Sequence, residues 1–282
     1  MSSYLVGLIG ADIGSSLSPP LHEREAGELG LRYEYRLIDI AQLGVAAHEV
    51  GELVRQAREQ GFTGLNITHP CKRAVVRHLD AISPVAAQLA AVNTVVFADG
   101  RAVGHNTDGY GFAEGFVRNL VSASLREVLL VGAGGAGAAV ARALLGLGVL
   151  RLTIVDVEPA RVQELVAALG AGSRVVAGAL DQLDGYIKAA DGLVNATPVG
   201  MSGHPGVPVP PAFLHAGLWV ADVVYRPLDT ELLRAARALG CRTLDGGGMV
   251  VFQAAEAMRL FTGREPDAER MYRHFLELTA DG

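Results

Sequence analysis

One stretch, VLLVGAGGAG at residues 128–137, decides the fold class of this chain. Four apolar residues predict a buried strand, and the six that follow contain the pattern GxGxxG. Gly132 permits a tight turn, Gly134 lets the backbone approach a pyrophosphate, and Gly137 lets a helix pack closely on the strand. The N-terminus of that helix favours the charge of a phosphate. The stretch therefore predicts a Rossmann fold. The residues expected to contact the cofactor are Gly132, Ala133, Gly134, Gly135 and Ala136.

The next predicted strand, residues 152–155, is followed by an acid. Asp156 stands nineteen residues after Gly137, where a carboxylate accepts hydrogen bonds from the adenosine ribose hydroxyls. The same charge repels a 2′-phosphate, so NAD is expected as cofactor rather than NADP. Arg161 opens the next helix and is interpreted in two ways, as part of the adenosine pocket or as a solvated surface charge. If Arg161 reached a 2′-phosphate, the NAD prediction would weaken.

The rest of the chain surrounds this stretch with alternating strands and helices. Beyond residue 108 the alternation predicts a doubly wound parallel sheet, whose helices include residues 138–147. Before it, strands are predicted at 4–10, 33–40, 64–67 and 91–97, with helices between them that include residues 71–79. A length of 282 residues, half of them apolar, also favours two cores. We therefore expect two α/β domains, 1–108 for substrate binding and catalysis and 109–251 for NAD.

Composition narrows the partners to small molecules. A net charge of −6 without any basic block argues against nucleic acid and against an anionic membrane. No apolar run approaches the ~20 residues of a membrane span, and no basic segment precedes the short apolar run at the N-terminus, so a cytoplasmic location is expected. Cys71 and Cys241 lie far apart with no metal-ligand spacing, which indicates neither a disulfide framework nor a metal site.

Polar residues cluster at four places in the first domain. Each cluster is expected at the end of a strand or in the loop after it, where ligand crevices form in open α/β sheets. Taken singly, each has an ordinary explanation as a turn, a helix cap or a surface lysine. Together their hydroxyls and amides suit a ligand with several hydroxyls and one carboxylate. The clusters are Ser16–Pro19, Asn66–Lys72, Asn93–Thr94 and Gly104–Asp108.

Oxidation of such a hydroxyl requires a group that takes its proton, and the sequence offers no metal cluster to polarise the oxygen. Lys72 is the predicted base, with Asp108 as the ion-pair partner that orients it, because a positioned lysine titrates readily. His22, His69 and His105 neighbour the same motifs. We expect these histidines to be structural or solvent-facing.

The motifs together resemble the shikimate dehydrogenase family, nearly from end to end. They are Ser16-x-Ser18, Asn66-x-Thr68-x-Pro70-x-Lys72, Ala91-Val92-Asn93-Thr94, Gly104-x-Asn106-Thr107-Asp108-x-x-Gly111, Gly132-x-Gly134-Gly135-Ala136, Asn195-Ala196-Thr197-Pro198-x-Gly200-Met201, Asp222-x-Val224-Tyr225-x-Pro227-x-x-Thr230 and Gly246-x-Gly248-Met249-x-x-x-Gln253.

The resemblance implies a substrate domain and a cofactor domain that face each other across a cleft, with helices 252–282 returning to the substrate domain. It also implies roles for individual residues. The implied catalytic pair is Lys72 and Asp108. The implied substrate ligands are Ser16, Ser18, Asn66, Thr68, Asn93, Tyr225 and Gln253, besides the catalytic pair. The residues implied to flank the cofactor are Asn195, Thr197, Val223, Gly246 and Met249.

Two positions separate branches of this family. NADP-using biosynthetic members carry Asn-Arg-Thr after the second Rossmann strand, whereas this chain has Asp156-Val157-Glu158, which resembles the NAD-dependent quinate/shikimate branch. Some quinate-preferring members have Thr where this chain has Ser18. One methyl group shifts preference without making it absolute, so activity on both quinate and shikimate is expected.

Two alternatives stay open at this point. A dehydrogenase of an amino-substituted analogue, as in the aminoshikimate pathway, would share all these motifs. A non-catalytic sensor of nucleotide and metabolite would share the fold, since fold does not dictate function; the presence of both Lys72 and Asp108 argues against it. The chain is expected to be a monomer or a homodimer.

Overall fold

The computed structural model describes residues 3–280 and divides into two compact units. One unit combines Met1–Thr107 with Val251–Gly282, and the other is Asp108–Val250. Each junction lies one residue earlier than the sequence-based boundary. At the first junction the reason is visible, because Asp108 is the first residue of a helix.

The first unit contains a mixed six-stranded sheet with the order β2-β1-β3-β5-β6-β4. β1 pairs in parallel with β2 and β3, and β6 pairs in parallel with β4, whereas β5 is antiparallel to both of its neighbours. Its strands are β1 (Ser3–Gly10), β2 (Arg32–Asp39), β3 (Gly64–Ile67), β4 (Ala81–Ile82), β5 (Thr94–Ala98) and β6 (Arg101–His105). The helices before residue 108 are α1 (Ser18–Glu28), α2 (Ile40–Leu43), α3 (Val50–Glu59), α4 (Cys71–Ala74) and α5 (Pro84–Leu89).

The sheet of this unit is apolar on both faces. Ile9 packs with Leu65 and Val95 in the larger core, while Val6 and Leu8, pointing to the other face of β1, form a second cluster with residues of the C-terminal segment. A strand that is buried on both faces has a nearly continuous apolar sequence. This explains why β1 was predictable from sequence.

The segment between β3 and β6 differs from the prediction. The single helix expected at 71–79 is the short α4 followed by a 3-10 turn at Val75–His78. The strand expected at 91–97 begins only at Thr94 and forms a hairpin with β6, which the prediction lacked. Asp99 and Gly100 both have positive φ, 50° and 73°, as a two-residue turn with mirror-image geometry requires. The Asp-Gly pair was a usable hairpin signal.

The second unit is built on a fully parallel sheet with the order β12-β11-β10-β7-β8-β9. The order reverses between β7 and β10, so the predicted doubly wound Rossmann fold is confirmed. Its strands are β7 (Glu127–Val131), β8 (Arg151–Val155), β9 (Val175–Ala177), β10 (Gly192–Asn195), β11 (Trp219–Asp222) and β12 (Arg242–Leu244).

The structure also describes the helices of the chain from residue 108 onward. They are α6 (Asp108–Asn119), α7 (Gly135–Gly146), α8 (Pro159–Leu169), α9 (Leu183–Ala189), α10 (Glu231–Ala238), α11 (Gly247–Thr262) and α12 (Ala268–Ala280). α7 begins three residues before the predicted start at residue 138, because the glycine loop itself supplies the first helical turn. Between residues 3 and 280, no helix is long and apolar enough to cross a membrane.

Candidate active site

The four polar clusters of the first unit lie at one edge of its sheet. Ile9 and Ile67 pair at the carboxyl ends of β1 and β3, and Asn66 pairs with Thr94 on β5. Thr94 in turn faces His105, the last residue of β6. The Asn93–Thr94 cluster was expected at the end of a strand or in the loop after it, but Asn93 precedes β5. It reaches the same edge because β5 runs antiparallel to β3 and therefore starts where β3 ends.

Asn66 is buried at the centre of this edge. Its amide donates to the carbonyl of Asn93 and to Thr94 Oγ1, both at 3.3 Å, and its Oδ1 accepts from the Tyr35 hydroxyl at 2.8 Å. The Tyr35 hydroxyl also hydrogen-bonds with the side chain of Ser18, and burial raises the pKa of Tyr35, which keeps the phenol protonated. Tyr35 therefore links two predicted substrate ligands.

A second network surrounds Asn93. Its Nδ2 donates to Thr107 Oγ1 at 2.9 Å, and its Oδ1 accepts from the Thr107 amide at 2.8 Å. Thr107 Oγ1 lies 3.4 Å from Gln253 Oε1, so the C-terminal segment contributes to the same cluster. The predicted ligands Asn93 and Gln253 are thus brought together by Thr107, to which the sequence motif assigned no role.

Ser16 lies in the loop between β1 and α1, and Ser18 is the first residue of α1. The Ser16 hydroxyl accepts the amide of Ser18 at 3.2 Å, and the Ser16 amide donates to the carbonyl of Ile13. Both serine side chains are half-buried. These local hydrogen bonds fix the backbone of residues 13–18.

Thr68 and Lys72 follow β3. Thr68 donates its amide to the carbonyl of Ile9, and its own carbonyl accepts from Cys71, which starts α4. The Lys72 carbonyl accepts from Val92, so the backbone of α4 is attached to the segment before β5. Lys72 itself is half-buried. The predicted base consequently stands on a short, well-held element.

Asp108 opens α6 and is buried. It belongs to the second unit, directly after Thr107 in the chain. Backbone amide dipoles at a helix N-terminus favour a negative charge. The first turn of α6 is therefore a suitable position for a carboxylate.

The three histidines that neighbour the predicted catalytic motifs lie in different environments. His22 is fully buried, and burial lowers the pKa of its imidazole to about 3. His105 is half-buried, and its pKa is also lowered, mainly by burial. His69 is exposed. A fully buried histidine such as His22 cannot exchange protons with a ligand.

The glycine loop of the second unit has the geometry expected of a phosphate cradle. A Cβ atom on Gly137 would lie 2.0 Å from the carbonyl oxygen of Gly132, so the helix packs against the loop as closely as glycine permits. Gly132 has a φ of 108°, which disfavours any side chain. A Cβ on Gly134 would meet no protein atom within 4 Å. Gly134, which caps α7, thus faces open space in which a pyrophosphate can approach the helix N-terminus.

Asp156 follows β8 and holds the same loop. Its Oδ2 accepts the Ala133 amide at 2.7 Å, and its Oδ1 accepts the Glu158 amide at 2.9 Å. A carboxylate has further lone pairs, so these bonds leave acceptor capacity for ribose hydroxyls. Arg161 forms an ion pair with Glu158 at 2.7 Å, and both side chains are about half exposed.

A buried polar network lies at the ends of β10 and β11. Asn195 Oδ1 accepts from the Thr197 amide and hydroxyl, and its Nδ2 donates to Val199 O and to Asp222 Oδ1. All four hydrogen-bonding positions of the Asn195 amide are therefore used within the protein. Asp222 also accepts from the Val224 amide at 3.0 Å and from Thr230 Oγ1 at 2.8 Å.

The pKa of Asp222 is raised to about 6, by burial and then by the negative charge of Asp245, against the lowering effect of its hydrogen bonds. At neutral pH and above the carboxylate is ionised. The loop 223–230 that it holds carries two predicted site residues, Val223 and Tyr225, both half-buried.

Gly246 and Met249 lie next to this network, at the start of α11. A Cβ on Gly246 would lie 2.4 Å from the carbonyl oxygen of Val223, so only glycine permits this approach. The Gly246 amide donates to the carbonyl of Val224 at 3.2 Å. Met249 is half-buried in the first turn of α11. Thr197, Val223, Gly246 and Met249 thus all lie at or next to the carboxyl ends of β10, β11 and β12.

Each unit therefore presents one functional edge. The first offers hydroxyl and amide groups suited to a small polyhydroxylated acid, and the second offers a phosphate loop followed by an acid. Thr107 and Asp222 stand in the quoted motifs but received no role from the sequence, and Tyr35 was not singled out at all. Their roles arise from contacts with residues far away in the chain.

Three family descriptions match the chain. Residues 8–95 match the shikimate dehydrogenase substrate binding domain, residues 116–200 match shikimate / quinate 5-dehydrogenase, and residues 246–274 match the shikimate 5′-dehydrogenase C-terminal domain. A shikimate dehydrogenase (NADP(+)) from Streptomyces avermitilis is 63% identical over 98% of this chain and 96% of its own length. A quinate/shikimate dehydrogenase (NAD(+)) from Corynebacterium efficiens is 50% identical over 98% and 99%.

Solved structures agree with these relatives. Quinate dehydrogenase from Corynebacterium glutamicum in complex with NAD superposes with a TM-score of 0.92 at 46% identity, covering 98% of this chain and 99% of that one. Shikimate 5-dehydrogenase from Thermus thermophilus in complex with NADP(H) and shikimate gives 0.86 at 34% identity, covering 98% and 99%. The similar proteins thus include users of either nucleotide.

Proposed function

This chain belongs to the shikimate dehydrogenase family, and from that premise we propose that it oxidises the ring hydroxyl of both shikimate and quinate with NAD as its preferred hydride acceptor. The products are 3-dehydroshikimate and 3-dehydroquinate. Dehydrogenase activity on this class of acid follows from the family. Preference for NAD is the finer part of the proposal, since the relatives are split between the two nucleotides.

Asp156 is the observation that supports NAD. Its carboxylate touches the glycine loop through Ala133, at the position where the adenosine ribose lies in a Rossmann fold. A 2′-phosphate there would meet this charge and that of Glu158. Arg161 is the nearby cation that could compensate, but its guanidinium is paired with Glu158. The local charge therefore favours a ribose that carries hydroxyls only.

The residues present fit such a cofactor. Gly134 leaves room for a pyrophosphate, and the N-terminus of α7 offers it backbone amides. When bound, NAD accepts the hydride from the carbon that carries the hydroxyl. We propose that Lys72 takes the hydroxyl proton as the carbonyl forms, and that Asp108 is the second member of the catalytic pair.

The substrate is held by the polar edge of the first unit. We propose that Ser16, Ser18, Asn66, Thr68, Asn93 and Gln253, with Tyr225 from the loop after β11, bind its carboxylate and hydroxyls. Tyr35 and Thr107 belong with this group because they are hydrogen-bonded to Asn66 and Asn93. Prearranged polar groups of this kind select hydroxyl positions, because a missing hydroxyl leaves buried partners unsatisfied.

Initial rates that cross shikimate and quinate with NAD and NADP test the proposal. We expect turnover of both acids and a higher kcat/KM with NAD. Asp156→Ser should lower the ratio of kcat/KM with NAD to kcat/KM with NADP. Arg161→Ala should lower any residual kcat/KM with NADP. Asp184→Ser, which removes an exposed carboxylate paired with Lys188 on α9, is the matched control and should leave the ratio unchanged. Preference of the unmodified protein for NADP would overturn the assignment to Asp156.

Substitution of the proposed base tests the catalytic part. Lys72→Ala should reduce kcat by about 10²- to 10⁴-fold, the usual contribution of acid-base catalysis, while NAD still binds. Arg73→Ala removes the adjacent, exposed basic residue and should leave kcat nearly unchanged. Equal losses in the two variants would show that general positive charge, and not Lys72, matters.

A further inference from the structure

Asp222 is a buried carboxylate for which the proposed function has no role yet. It is the last residue of β11 and is only 2% exposed, so it cannot touch a ligand directly. Three groups donate to it, namely Asn195 Nδ2, the Val224 amide and Thr230 Oγ1, at 2.8 to 3.0 Å. Leaving such a group or its partners unsatisfied in the interior is unfavourable. The carboxylate therefore constrains whatever is attached to these donors.

The donors belong to two separate loops. Asn195 ends β10, and its Oδ1 holds both the amide and the hydroxyl of Thr197, whose Oγ1 accepts from Val199 in turn. Val224 and Thr230 lie at the two ends of the loop after β11, and Thr230 also caps α10 by accepting the Leu233 amide. The side chain of Asp222 consequently joins the turn 195–199 to the loop 223–230.

The position of these loops in the sheet indicates which half of a dinucleotide they face. The glycine loop follows β7, and Asp156 follows β8, which is β7's neighbour on one side. In a Rossmann fold the pyrophosphate lies at the first of these loops and the adenosine ribose at the second. β10 and β11 lie on the other side of β7. Their loops therefore face the nicotinamide half.

We infer that Asp222 is a positioning residue that prearranges the nicotinamide half-site by tying together the turn 195–199 and the loop 223–230. The inference rests on the proposed function, in that it assumes a nicotinamide dinucleotide on this Rossmann fold. Asn195 acts in the same way, because its amide is fully used inside the protein. Thr197 and Val223 are the residues through which the constraint reaches the cofactor.

The inference predicts weaker binding of the nicotinamide half alone, whereas a general loss of stability would weaken binding of both halves of the dinucleotide. ADP-ribose contains the adenosine, the pyrophosphate and a ribose but lacks the nicotinamide ring. Asp222→Ala should weaken NAD binding by about ten- to hundred-fold, because the ordered half-site would then be populated only about a tenth to a hundredth of the time, and leave ADP-ribose binding unchanged. Titration calorimetry of the full chain without substrate, at pH 8 where the carboxylate is ionised, measures both affinities.

Two further variants complete the test. Asp222→Asn keeps an oxygen for Asn195 and Val224 and offers an amide to Thr230, so it should restore most of the NAD affinity. Asp191→Ala is the matched control, because Asp191 accepts the amides of Arg126 and Glu127 at the opposite, amino-terminal edge of the same sheet. It should lower the melting temperature and leave the difference between NAD and ADP-ribose affinity as it is in the unmodified protein.

The possible results distinguish a failure of the inference about Asp222 from a failure of the proposed function. Parallel loss of NAD and ADP-ribose affinity in Asp222→Ala, or loss of neither, would overturn the inference. Failure of the proposed function shows up separately, as absence of turnover by the unmodified protein or as a preference for NADP. If NADP is preferred, the same comparison is made between NADP and 2′-phospho-ADP-ribose. The inference about Asp222 then stands or falls independently of the cofactor choice.

Discussion

Among single residues, His22 is buried without full hydrogen bonding. Its Nδ1 lies 3.2 Å from the Tyr33 hydroxyl, while its Nε2 has no hydrogen-bond partner among the described residues. Its ring packs against Tyr35, with the ring centres 5.0 Å apart, and near Phe261. Glu25, on the same helix, forms an ion pair with Arg270. An imidazolium in this aromatic surrounding would be poorly solvated, so the neutral form is strongly favoured.

This burial predicts an acid sensitivity of the fold. The pKa of His22 falls from 6.5 to about 3 on folding, so between these values the unfolded chain binds the proton and the folded one does not. Stability is therefore lost as pH falls below 6.5, by about 1.4 kcal/mol per pH unit for this one group. Urea unfolding at pH 7, 6 and 5 should show a shallower pH dependence for His22→Phe than for the unmodified protein.

A histidine control checks the assignment. His204→Gln changes an exposed side chain and should leave the pH dependence unaltered. If His22→Phe shows the same loss of stability with acid as the unmodified protein, the sensitivity resides in other groups, such as the carboxylates.

Among the structural elements, the glycine loop contains one glycine expected to matter for cofactor binding, Gly134, and one expected to matter for folding, Gly137. Gly134→Ala places its methyl group in open space and at an ordinary φ of −76°, so the fold should tolerate it while NAD binding weakens. Gly137→Ala drives its methyl group into the carbonyl of Gly132 at 2.0 Å, so β7 and α7 must separate. We expect unchanged thermal stability for the first variant and a loss of about 1–3 kcal/mol for the second, typical of overpacking.

Gly146→Ala, at the other end of α7 where a Cβ also meets open space, is the control for both variants. It should leave NAD affinity unchanged and raise stability by up to about 1 kcal/mol, because alanine loses less backbone entropy than glycine in a helix. A Gly134→Ala variant that binds NAD normally would place the pyrophosphate elsewhere.

α1 and α12 are held together by a buried ion pair. Glu25 is fully buried, and Arg270 donates to both of its carboxylate oxygens, at 2.6 and 2.9 Å. The backbone amide of Asp267 adds a third donor at 2.8 Å. Removing one partner of such a pair leaves a charge buried without its counterion. Arg270→Ala should therefore destabilise the protein by about 3–5 kcal/mol in chemical unfolding.

The same two helices provide the comparison. Arg24 and Glu277 form an ion pair with both side chains about half exposed. Arg24→Ala should cost no more than about 1 kcal/mol, as surface pairs usually do. Similar losses for the two arginine variants would mean that charge number on these helices, and not burial of Glu25, determines the effect.

For the whole molecule, the division into two units predicts two separate footprints. Each unit has its own core and its own functional edge, so NAD alone should protect chiefly the second unit and substrate alone chiefly the first. In hydrogen exchange, NAD should slow the amides of residues 132–137, and shikimate those of residues 64–72 and 104–107. Protection by NAD confined to residues 3–107 would contradict the assignment of the glycine loop.

Much of the fold followed from local sequence. The Rossmann unit was predicted because a buried parallel strand, a glycine turn and an alanine-rich helix leave their signature within ten consecutive residues. β8 agrees with the strand predicted at 152–155 for the same reason. The mixed sheet of the first unit was only partly predicted, because β5 and β6 pair antiparallel and their turn was overlooked.

From the sequence alone came the family, the two α/β folds, the glycine loop with its acid, and the polar motifs, all of which are patterns of neighbouring residues. Only the tertiary structure decided that Tyr35 joins Ser18 to Asn66, that Thr107 joins Asn93 to Gln253, and that Asp222 joins two loops. Such contacts depend on which strands become neighbours. Strand order arises from packing of the whole chain, so residue type and spacing do not encode it locally.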